Sequence, residues 1–149
     1  AREGDVVVVA NDGYTGTAVV GDLVIGMMRN RGVAAFVTEG LVRDRAGIVA
    51  TGLPVFATGV VPTSPATNGP GIVGAPVICG GIHVRPGDIV VGDADGVVVV
   101  PLDRAEAVLQ RLEAVLAAEA KAMAAVEAGA TESEKVRRLM AGATIIQAG

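Results

Sequence analysis

The chain has 149 residues, 51% of them hydrophobic but only two of them Phe, and a formal net charge of −4. That length suits one domain with a core of Val, Ile, Leu and Ala. Acidity without a long basic run argues against nucleic acid as a partner, and a single Cys excludes an internal disulfide and fits a reducing, cytoplasmic compartment.

Ala1-Arg2-Glu3-Gly4 opens onto GDVVVVANDG (4–13), which reads as a buried strand of β-branched residues between turn formers. No signal peptide is visible, and the missing Met reads as processing or as part of a longer polypeptide. A Gly/Thr-rich link, YTGTAVVG, leads to DLVIGMMRNRG, a helix with Leu23, Val24, Met27 and Met28 as its apolar face and Gly32 as its end. VAAFVT (33–38) is the next strand, so the order suggests a βαβ unit. Residues 44–51 read as one or two helical turns, and LPVFATGVV as a strand broken at Gly59.

PTSPATNGPG (62–71) is a loop by composition. PVICGGIHV reads as two short strands about Gly80-Gly81, and GDIVVGDADGVVVVP as a hairpin. The hairpin repeats the Gly-Asp, apolar strand, Asp-Gly spacing of residues 4–13, from either a duplicated unit or recurrent turn chemistry. The prolines and glycines between Ala46 and His83 keep that uncharged stretch from spanning a membrane. The character changes at Pro101. Asp103 with Glu106 has capping-box spacing for a helix to about Gly129, and Thr131 with Glu134 repeats it for a shorter helix to about Gly142. Residues 1–101 therefore read as an α/β core and 102–149 as a helical segment that packs on the core or on a neighbouring subunit. Leu112, Leu116, Met123 and Val126 form a stripe that also contains Glu119, and a charge there must pair or reach into a neighbour's site.

The residue types narrow the chemistry. Lys occurs only at 121 and 135, His only at 83 and Ser only at 64 and 133. A Schiff-base lysine in the core, a His/Cys zinc site and a convincing Ser-His-Asp triad are all lacking. Carboxylates, Arg and backbone amides remain, a set that favours Mg²⁺ or Mn²⁺. Gly21, Asp22, Leu23 and Val24 form the first turn of the first helix, where open amides suit a small carboxylate; a helix-start Asp and nothing more is the plainer alternative. Arg43-Asp44 follow the next strand and can converge with Asp22 at the strand C-termini, where Arg suits a carboxylate or enolate and Asp a metal; a surface ion cluster is the alternative. His83 reads as a packed strand residue, Cys79 as a small buried one, and Asp93 and Asp95 as turn residues. Asn68-Gly69-Pro70-Gly71 could cradle an anion.

Asp22, twenty residues, then Arg43-Asp44 resembles the signature of the RraA-like family, which includes 4-hydroxy-4-methyl-2-oxoglutarate / 4-carboxy-4-hydroxy-2-oxoadipate aldolases. GLPVFATGVVPTSP, NGPG and CGGIHVRPGDIVVGDADGVVVVP support it in order, across roughly residues 4–128. The resemblance implies a layered, swivelling β/β/α domain in homotrimers or homohexamers; such proteins normally carry a further N-terminal region, so this chain reads as a fragment or that region lies on another piece. It implies a Mg²⁺ (or Mn²⁺) dependent pyruvate aldolase that also decarboxylates oxaloacetate through a shared pyruvate enolate. Asp44 would then hold the metal, largely through water. Arg43 would bind the 2-oxo acid and stabilise the enolate, and Asp22 would orient a metal-bound water that moves the proton. The amides of Leu23 and Val24, after Gly21, would grip the carboxylate, and Glu119 would come from a neighbouring subunit. The fuller pattern has an acid three positions after the signature Asp, where this chain has Gly47. Some family members instead bind and inhibit an RNA-degrading endonuclease, which is the alternative function.

Overall fold

The computed structural model describes residues 1–65 and 67–143, so Ala66 in the 62–71 loop and the tail of the 102–149 segment lie outside the described residues. The chain divides into two compact units, Ala1–Ala105 and the part from Glu106 onward.

Three passes of the chain build the first unit. The first lays down β1 (Val6–Val9), β2 (Ala18–Val20) and α1 (Asp22–Asn30). The second gives β3 (Ala35–Thr38), β4 (Leu41–Val42) and α2 (Arg45–Thr51), and the third gives β5 (Val55–Phe56) and β6 (Gly59–Val60). Each pass adds one strand to each of two sheets. β1-β3-β5 form one parallel sheet, with Val6 opposite Ala35 and Val9 opposite Thr38. β2-β4-β6 form the other, also parallel, with Val20 opposite Val42 and Val42 opposite Val60. Two sheets and a helix layer make the expected β/β/α class of α/β architecture.

The core lies among these layers. Val20 and Val42 come from one sheet, Phe36 from the other, Ile25 from α1 and Ile48 from α2, joined by Val33 and Leu53. Phe36 and Ile25 are fully buried, and burying side chains of this size is worth about 1.5–3 kcal/mol each.

Four readings need correction here. The Gly/Thr link contains β2, and β4 follows β3 after one turn. The strand expected at residues 53–61 is two strands in different sheets, parted at Ala57-Thr58, with Gly59 inside β6. The apolar face of α1 is also different. Ile25 and Met28 turn inward, whereas Leu23, Val24 and Met27 are exposed. α1 is apolar around most of its circumference, so periodicity could not select the side that meets α2 and the sheets.

Two antiparallel hairpins follow, β7 (Val77–Cys79) with β8 (Ile82–Val84) and β9 (Ile89–Gly92) with β10 (Val97–Val100). His83 is exposed on β8, contrary to the packed reading, because Val84 takes the inward position. The recurrent spacing carries recurrent turn chemistry, although β1 pairs parallel and β9 antiparallel. In Arg2-Glu3-Gly4-Asp5 the Arg2 amide donates to Asp5 Oδ2 at 2.6 Å; in Arg85-Pro86-Gly87-Asp88 the Arg85 amide donates to Asp88 Oδ2 at 2.8 Å. Both glycines have positive φ, +83° and +93°.

A 3₁₀ turn, Leu102–Arg104, precedes α3 (Ala105–Glu127). The expected Asp103 cap does not form: Asp88 Oδ1 accepts the Leu102 amide, and Asp103 faces Arg85 at 3.7 Å. α4 (Glu134–Ala141) is capped by Ser133 rather than Thr131, its Oγ accepting from the Val136 amide at 3.2 Å. α3 buries no residue; Leu112, Leu116, Met123 and Val126 are all exposed. No helix among the described residues is long and apolar enough to cross a membrane.

Candidate active site

The sheet β2-β4-β6 explains why distant residues meet. β2 runs directly into α1 and β4 into α2, and the two strands are parallel neighbours. Their exits therefore lie side by side, held by the Arg43 amide donating to the Val20 carbonyl at 3.0 Å. The exit of β6 stays in register, the Val61 amide donating to the Val42 carbonyl at 2.9 Å. The residues converge at parallel strand C-termini, those of β2 and β4 rather than β1 and β3.

Gly21 caps α1 with extended backbone, its carbonyl accepting from Ile25 N at 3.2 Å, and it supplies no capping side chain. The amides of Asp22, Leu23 and Val24 open the helix, where partial positive charge gathers. The absent Gly21 side chain leaves room for its neighbours. A Cβ there would lie 2.6 Å from Asp44 Oδ2 and 2.9 Å from Arg43 Nε. The side chains of Arg43 and Asp44 thus rest on the start of α1. A Cβ on Gly47, in the first turn of α2, would lie 2.2 Å from Asp22 Oδ2, so Asp22 rests on α2.

Arg43 Nε lies 3.1 Å from Asp44 Oδ2. This is an ion pair by distance, yet the buried Nε–H has no aligned acceptor, so the contact is charge proximity rather than a formed hydrogen bond. Arg43 Nη1 donates to Ser64 Oγ at 2.5 Å. Asp44 adopts left-handed backbone, φ +57° and ψ +44°, which costs a non-glycine residue about 1–2 kcal/mol and which Asp tolerates better than most. Its side chain is 45% exposed and that of Arg43 32%, so a charged pair stands at the surface of this turn. Arg45 is exposed.

Among the described residues, no three His, Cys, Asp or Glu side chains converge as a metal cage. The helix start and Arg43 favour an anion; the half-exposed Asp44 carboxylate is the one group of the cluster suited to a hard cation that keeps most of its water. Glu119 lies on α3 in the second unit.

Ser64 was missed as an Arg43 partner, although it is one of only two serines and follows the strand LPVFATGVV. Glu39 was missed too. Its Oε2 accepts the Gly80 amide at 2.7 Å and its Oε1 the Asn11 and Gly13 amides at 3.3 Å each. The Gly80 bond chiefly, then those from the 11–13 turn, holds the Glu39 carboxyl below its ordinary range against an opposing burial effect. Cys79 is half-buried, and burial pushes its thiol up. Glu39 and Cys79 border a valine-rich cleft of about 470 Å³ that includes Val8, Phe56 and Val99. Neither Asp22, Arg43 nor Asp44 lines it, so this cleft is separate from the strand-exit cluster.

Residues 1–99 match the model of the RraA-like family, described as Aldolase/RraA. A protein of Halalkalibacterium halodurans named "Putative 4-hydroxy-4-methyl-2-oxoglutarate aldolase" is 41% identical over 111 residues, 74% of this chain and 53% of its own. The chain thus spans about half the length of that relative. The crystal structure of Streptomyces coelicolor RraAS2, described as an unusual member of the RNase ES inhibitor RraA protein family, superposes with a TM-score of 0.77 at 31% identity, covering 83% of this chain and 63% of the other. A Pseudomonas syringae protein of uncharacterised function also gives 0.77, at 30% identity over 88% and 66% of the two chains.

Proposed function

Since the chain belongs to the RraA-like family, we propose that its strand-exit cluster serves a divalent-metal-dependent pyruvate aldolase. The substrates in this reading are 4-hydroxy-2-oxo diacids cleaved to pyruvate, and oxaloacetate decarboxylated at the same site. The observation that carries it is the seating of Arg43 and Asp44 over the open start of α1, a cation and a carboxylate beside free amides.

Both reactions generate a pyruvate enolate, so both need positive charge fixed where negative charge grows. Arg43 supplies it, steadied by Ser64 and Asp44. The Leu23 and Val24 amides hold the substrate carboxylate at the helix start. Asp22 orients the water that carries the proton to or from carbon, and Glu119 of a neighbouring subunit completes the site in a homotrimer or homohexamer. Asp44 would hold Mg²⁺ or Mn²⁺, whose charge polarises the 2-oxo group when bound. A core without lysine leaves no Schiff-base route to the same enolate.

The test is pyruvate release from oxaloacetate by the full chain, with Mg²⁺ and then with EDTA. Metal-dependent release that Arg43→Ala abolishes supports the site; release indifferent to both rejects it. A second reading has its own observation, glycine rather than an acid at position 47: a non-catalytic regulator that binds an RNA-degrading endonuclease. Inhibition of such an enzyme by the chain, with no pyruvate release, would favour it.

A further inference from the structure

We infer that Gly47 is a positioning residue for Asp22, kept bare so that the Asp22 carboxylate can lie against the first turn of α2. Its functional part rests on the reading above.

Backbone conformation does not account for this glycine. Gly47 is absent from the positive-φ glycines, whereas Gly52 at the end of the same helix is among them. Within the seven residues of α2, Arg45–Thr51, glycine is the poorest helix former. The reason is space. A Cβ at 47 would lie 2.2 Å from Asp22 Oδ2, 2.8 Å from Cγ and 2.7 Å from Cβ. Rotating the Asp22 side chain could free the oxygen, but it cannot move Asp22 Cβ, which the backbone of α1 fixes. That backbone is pinned in turn, since its cap Gly21 lies beneath Arg43 and Asp44. Gly21 and Gly47 therefore form a reciprocal lock: each α-helix start carries the other's acidic side chain on a bare Cα. With Asp22 placed as it is here, a side chain at 47 must displace the Asp22 side chain.

Four full-length proteins test this: the wild type, Gly47→Ala, Asp22→Gly, and the double variant. Gly47→Ala should lower kcat for pyruvate release tenfold or more with KM changed less than threefold, and should lower Tm. In the Asp22→Gly background, which lacks the proton-moving carboxylate and is read by Tm alone, the same change should not lower Tm, because the clashing atoms are gone and alanine suits the helix better. If Gly47→Ala fails to fold while the double variant folds, that rescue supports the lock equally. Equal losses in both backgrounds, or no loss in either, would overturn it. The Tm comparison needs no turnover, so a wild type without metal-dependent release would reject the aldolase reading while the lock is still decided.

Discussion

At the scale of single residues, Arg43 carries the most weight. It is the cation at the strand exits, and removing a fixed donor from developing negative charge costs roughly 10²–10³-fold in kcat. Arg43→Ala should show that loss in steady-state pyruvate release, and Arg43→Lys should recover little, because an ammonium cannot span Ser64 and Asp44 as the guanidinium does. Asp44→Asn should weaken Mg²⁺ binding, read by titration calorimetry, while preserving the fold, since Asn accepts left-handed backbone as readily as Asp. This pair was legible in the sequence, along with Asp22, because strand exits and scarce residue types mark them. Ser64 and Glu39 were not, because their partners lie 21 and 41 residues away in sequence and nothing in either neighbourhood signals the contact.

At the scale of elements, Glu39 clasps the β3 exit to the 11–13 turn and to the β7–β8 turn. Its folded pKa lies below the ordinary value of 4.5. The stability it contributes is therefore complete above that value and is lost as pH falls through the lower folded one. Glu39→Gln should be less stable than wild type at pH 7, and the difference should shrink on acidification below pH 4.5; urea midpoints across that range would check it. Ile25→Ala should cost about 2–5 kcal/mol, as full burial in a packed core dictates, whereas Leu23→Ala, at an exposed position, should change stability little. The sequence concealed that contrast, since α1 offers apolar residues on several sides. It also concealed β4, β5 and β6, which at two residues each are too short to show a period of two.

At the scale of the whole molecule, the β/β/α class was read from the resemblance, and for the two parallel sheets the residues alone gave only a single βαβ unit, because alternation between two sheets leaves no trace in local patterning. If sites form between subunits as proposed, Glu119→Ala and Arg43→Ala oligomers that are separately weak should regain pyruvate release after being unfolded and reassembled together; no recovery would confine each site to one chain. The interleaved passes also bear on how the chain reaches this state. Through β6 no strand pairs with the next in sequence: Val6 meets Ala35, and Leu41 meets Gly59. Such contacts must close long loops before any ladder forms, whereas β7–β8 and β9–β10 close over short turns. In pulse-labelled hydrogen exchange during refolding, amides of the two hairpins should gain protection no later than those of Val6–Val9, and the two parallel sheets should gain theirs in a single step, because neither can be laid down without the other.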